Sequence, residues 1–134
     1  MRAWLVCSFV VVVGCARASA RPELIGTWKQ ASPVALTIEI GGDGSAGSVH
    51  AEQPVTDALA PGCRAWFASD GTYVSDGDTL TITFTSGALT QAGCEDGARD
   101  VVLTIPPFPD YDAVPITIEG STLTIDGARF TRQP

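Results

Sequence analysis

The side chains able to do chemistry are few, and their spacing serves catalysis poorly. The chain has one histidine, His50, in the stretch SVHAEQ. A lone imidazole with no matching Ser, Cys or carboxylate spacing offers neither a nucleophile–base pair nor a metal set. A strand flanked by glycine-rich turns puts it on the surface. Asp70, Asp76 and Asp78, within DGTYVSDGD (70–78), carry hard oxygens of the kind Ca²⁺ takes. The calcium-loop pattern is missing, and turn formation accounts for these residues, whose carboxylates bond to nearby backbone. Four cysteines stand at 7, 15, 63 and 94, with no C-x-x-C spacing to mark a redox or zinc pair. The expectation is a protein that is not an enzyme, with no catalytic residue, no metal and no cofactor.

The placing of these residues begins with the N-terminus. Met1-Arg2 is a short basic start, and Trp4 to Val13 is apolar except for Ser8. Ten residues are too few to cross a hydrocarbon core, which takes about 20 in a helix. A basic start, a brief apolar run and small residues after it form the secretory-signal pattern. Val12-Val13-Gly14-Cys15 resembles the lipobox of bacterial lipoproteins, with Val where Leu is commonest. The resemblance implies a signal peptide over residues 1–14, cut before Cys15, which then carries the lipid. Two or more acyl chains anchor stably, at about 0.8 kcal/mol per buried CH₂. Ala16, and not Asp, follows the cysteine, which in that family implies an outer-membrane destination in the cell envelope. Residues 15–22, the cysteine and ARASARP, read as a tether, of which 16–22 reach about 25 Å when extended.

With Cys7 removed and Cys15 lipidated, Cys63 and Cys94 remain, an expected disulfide in an oxidising compartment. Removing residues 1–14 leaves 120 of the 134, one domain's worth, over 23–134. Arg2 leaves with the signal, so 7 basic side chains face 15 acidic ones, net −8. Such a chain is a poor nucleic-acid binder. Its charge also repels anionic lipid, so membrane contact falls to the anchor.

From Leu24 onward the chain alternates. ALTI (35–38), TLTI (79–82), VLTI (102–105) and TLTI (122–125) each sit in a period-2 run. Leu36, Ile38 and Ile40 oppose Thr37 and Glu39; Leu80, Ile82 and Phe84 oppose Thr79, Thr81 and Thr83. Val101, Leu103 and Ile105 form another face, as do Ile116 and Ile118, then Leu123 and Ile125. This is the pattern of half-buried strands. Turn signals at 41–45, 69–71, 75–78, 119–121 and 126–127 divide them. The count is eight to ten short strands of about six residues, all antiparallel. An up-and-down barrel would remove their edges. A β-sandwich is the alternative, with 54–62, 86–98 and 106–114 as its longer connections.

Gly26-x-Trp28, in LIGTWKQ (24–30), resembles the first strand of the calycins, the lipocalin-like barrels. The resemblance implies that Trp28 closes one end and that a basic residue of the last strand packs over it. In ARFTRQ (128–133) that residue is Arg132, with Arg129 the rival on the opposite face. The Thr-Asp-Tyr element of lipocalins is absent, faintly echoed by PDYD (109–112).

Two functions are open. One is a membrane-tethered lipoprotein holding a small apolar ligand in the barrel, with Phe67, Tyr73, Phe84 and Phe108 along the lumen. The other is an interaction or inhibitor module on a solid barrel, with an envelope protein as partner. Its loops would carry recognition, with Phe108 and Tyr111 of PPFPDYDAVP (106–115) as interface anchors. In outline it is similar to the bacterial inhibitors of secreted metalloproteases.

Overall fold

Alternating apolar and hydroxyl side chains build strands across the computed structural model, which describes residues 20–55, 62–95, 97 and 99–134. Cys15, the signal segment and most of the loop expected at 54–62 lie outside the described residues. The elements are a 3-10 turn (Pro22–Leu24), β1 (Gly26–Gln30), β2 (Leu36–Ile40), β3 (Ala46–Pro54), β4 (Arg64–Asp76), β5 (Thr79–Ala92), β6 (Val101–Ile105), β7 (Tyr111–Glu119), β8 (Thr122–Ile125) and β9 (Ala128–Arg132). Every pairing is antiparallel.

The strands form one sheet in the order β4-β3-β2-β1-β9-β8-β7-β5-β6, and β4 also pairs with β5. Eight strands therefore close a ring, and β6 lies outside it on the distal half of β5. This is the expected all-β up-and-down barrel, one ringed sheet and not a two-layer sandwich. Burial follows the alternation. In β5, Leu80, Ile82 and Phe84 are buried while Thr83 is exposed. They join Leu24, Trp28, Ile38, Val49, Ile116, Leu123, Ile125 and Phe130 in a single core.

Three expectations need correction. Ser69-Asp70-Gly71 is not a turn; it lies inside β4, at a β-bulge where Asp70 pairs with Ser86 but Gly71 with Phe84. Glycine is needed there because a Cβ would run into the Thr83 carbonyl. Strands of about six residues are too short for four elements: β3 and β7 have 9 each, β4 has 13 and β5 has 14, so residues 86–92 are strand and not connection. The face of Val101, Leu103 and Ile105 is not buried like the others, for Leu103 is 46% exposed. With β6 outside the ring, no opposite strand among the described residues covers it.

Candidate functional site

The two ends of the barrel differ. At the end carrying the chain's entry, the 3-10 turn lays Leu24 against Trp28, both fully buried. The Trp28 indole Nε1 donates to the Leu24 carbonyl at 2.8 Å. Arg132 stands directly opposite Trp28 in the β1–β9 register. Its guanidinium carbon lies 4.2 Å from the indole centroid, and it donates to the Ile25 carbonyl at 2.8 Å and to that of Glu23. Gly26 makes this possible: a Cβ there would sit 2.7 Å from Arg132 Nη1, and its φ of +141° suits glycine. Arg129 is exposed, away from the indole.

Tyr73 belongs to this same end. Its hydroxyl donates to the Gly41 carbonyl at 2.6 Å and accepts from the Gly44 N–H at 3.0 Å. Burial raises the phenol's pKa. It is part of the plug, not the wall of a lumen.

The opposite end is open. A cavity of about 410 Å³ sinks into it, with Leu36, Ile38, Ala51, Phe84 and Val114 among its apolar walls and Gln53, Asp110, Asp112 and Asp126 among its polar ones. The volume suits a small ligand.

Its shape follows from PPFPD (106–110). β6 and β7 run in one direction along the same side of β5, Ile105 opposite Gly87 and Tyr111 opposite Ile82. The five residues between contain three prolines, which have no N–H to donate, so the ladder breaks. Two side-chain bonds replace it. The Phe84 N–H donates to Asp110 Oδ1 at 2.9 Å, and the Phe108 N–H reaches Ser69 Oγ at 2.9 Å. Phe108 thereby meets Phe84 edge to face, centroids 5.8 Å apart. Phe108 and Tyr111 are both half-buried and packed on the core, which differs from exposed anchors. Burial first, and then the charge of Asp126, raises the Tyr111 phenol's pKa.

Of the aromatics expected along a lumen, Phe84 and Phe108 line the cavity. Phe67 is half-buried on the distal part of β4, in register with Gln53 of β3 and with Leu89 of β5, which faces Leu103 of β6, and it does not line the cavity. The distal ends of β4 and β5 are clamped by the Cys63–Cys94 disulfide, as the cysteine arithmetic expects.

His50 holds more contacts than its sequence context suggests. Its Nδ1 lies 2.6 Å from Asp70 and its Nε2 2.8 Å from Glu52. Only the β3–β4 register, which sets His50 opposite Asp70, reveals the first pairing. Partial burial opposes its charge, but the bonds to Glu52 and Asp70 and their negative charges outweigh this and raise its pKa. Asp78 is elsewhere, on Arg21 at 3.4 Å. Asp70 and Glu52 sit on opposite ring nitrogens of His50, and among the described residues no group of three His, Cys, Asp or Glu side chains is placed to hold a metal ion.

The fold and its unlike ends define a class: a small antiparallel barrel, plugged at one end and cupped at the other. Compared with protein-family models, curated proteins and solved structures, the chain matches none.

Proposed function

We propose that this protein is a bacterial lipoprotein, tethered through Cys15 to the cell envelope at the outer membrane, whose barrel binds a small apolar ligand. The cavity carries the reading. Its apolar walls are continuous with the core, and the solid end beneath it gives the cup a floor. The Arg132–Trp28 stack supports the calycin resemblance, and the lipobox supports the tether. The test titrates the full chain, free of detergent, with N-phenyl-1-naphthylamine. Saturable one-to-one binding is expected, displaced by a straight-chain alkanol. Leu36→Trp, which fills the cup, should weaken it about tenfold or more with circular dichroism unchanged. Absence of saturable binding to the unaltered chain would sink the reading.

An interaction module that recognises its partner on the outside of the barrel is the second reading, and one observation favours it. Val102 is 67% and Leu103 46% exposed, both on β6, which pairs on one side only among the described residues. Such an edge accepts a partner strand. Under this reading Val102→Lys with Leu103→Lys abolishes cross-linking to an envelope protein and leaves the cup's fluorophore binding intact.

A further inference from the structure

The walls of the cup carry a sign as well as an apolar surface. Asp110, Asp112 and Asp126 all line it, and none of its lining residues is Lys or Arg. Asp110 is occupied with the Phe84 N–H. Asp112 and Asp126 are both exposed, and neither is among the ion pairs of the described residues. Three aromatic rings, Phe84, Phe108 and Tyr111, line the same space. Aromatic faces attract organic cations, quaternary ammonium above all, and nearby carboxylates add to that attraction.

A carboxylate ligand such as a fatty acid would meet only like charge here. A neutral one would leave the two free aspartates without a role. Burial first, and then the charge of Asp126, raises the Tyr111 phenol's pKa, which places that carboxylate's charge beside the aromatic wall of the cup.

We propose that the cup selects a cationic amphiphile: an alkylammonium whose chain lies on Leu36, Ile38 and Ala51 and whose head sits at the Asp112 and Asp126 carboxylates. The proposal rests on the apolar-ligand reading and adds the charge class.

The experiment compares three probes of equal chain length on the full chain, below their micelle concentrations. They are dodecyltrimethylammonium, dodecanoate and dodecanol, each displacing N-phenyl-1-naphthylamine. The ammonium should bind about tenfold or more tightly than dodecanoate, with dodecanol between, and the preference should shrink with added salt. Asp112→Asn with Asp126→Asn should cost the ammonium about tenfold and leave dodecanol unchanged, which also checks that the variant is folded. The headgroup series on the unaltered chain stands even if that variant misfolds. Equal binding of ammonium and carboxylate overturns the proposal while dodecanol binding keeps the apolar cup. Failure of all three probes overturns both.

Discussion

Arg132 is held by three partners at once, the Trp28 face and the carbonyls of Ile25 and Glu23. A guanidinium on an indole contributes about 0.5 to 2 kcal/mol, and charged hydrogen bonds somewhat more in favourable settings. Arg132→Ala should therefore cost about 2 kcal/mol in urea unfolding. Arg132→Lys should recover less than half, since an ammonium lacks the planar fork that stacks and reaches both carbonyls. A loss below about 0.5 kcal/mol would show the stack to be incidental. This pair was legible because the calycin resemblance implies a basic residue of the last strand over Trp28, and strand periodicity puts Arg132, not Arg129, on the face of Phe130. His50 was not, because its partners come from a neighbouring strand and from two residues along its own. Its raised pKa has a consequence whose sign is fixed. The charged form is favoured in the folded state, so its contribution is complete below pH 6.5 and is lost as pH rises through the folded-state value. Thermal melts should show stability falling above about pH 6.5, and His50→Gln should flatten that fall. The amplitude will be small because both carboxylates are solvent-exposed. Identical pH profiles for the two chains would remove the effect.

At the scale of elements, the long β4–β5 hairpin organises the rest. Its proximal half belongs to the ring, while its distal half, with β6, extends past the open mouth. The Cys63–Cys94 bond closes a loop of sequence separation 31, which by the chain-entropy model contributes about 3 to 4 kcal/mol. Its native effect is local, because the hairpin is already laddered along its length. In Cys63→Ser with Cys94→Ser, hydrogen exchange should quicken at amides 64–70 and 86–92 and stay slow at 72–76 and 79–84. Uniform quickening would instead mean that the distal half is required for closure of the ring. The alternation of TLTI and the Asp-Gly turns made most strands readable. The hairpin's true length was hidden by Ser69-Asp70-Gly71, which has turn chemistry but serves as a bulge. Local sequence does not distinguish the two; the approach of the Thr83 carbonyl does. The inward fold of PPFPD was hidden for a related reason. Prolines announce that a ladder must break, but the side on which the chain then turns depends on Ser69 and Phe84 of other strands.

At the scale of the whole molecule, the chain's entry fixes an orientation. The Arg21 N–H donates to the Gly44 carbonyl at 3.0 Å, and its guanidinium reaches the Gly77 carbonyl at 3.2 Å and Asp78 at 3.4 Å. The segment expected to be free tether up to Pro22 is thus fastened to the plugged end from Arg21 onward. The five residues 16–20 between Cys15 and Arg21 reach about 17 Å at most. If Cys15 carries the lipid, the plugged end faces the membrane and the cup opens away from it, toward whatever diffuses there. In that case Arg2 is removed with the signal, and the net charge of −8 that remains would keep the barrel itself off anionic headgroups. A barrel was readable from alternation and strand count; a cup was not, because periodicity says which side chains point inward and not whether they fill the space. Orientation can be measured in vesicles with the lipidated chain. A fluorophore on Ser121→Cys, in the β7–β8 turn at the plugged end, should be quenched strongly by headgroup spin-labelled lipid. The same fluorophore on Asp126→Cys, beside the mouth, should be quenched weakly. The same two chains begun at Ala16, without the signal or Cys15, should stay in the aqueous phase. Stronger quenching at Asp126 would invert the orientation, and a chain begun at Ala16 that still partitions with lipid would end the case for the anchor.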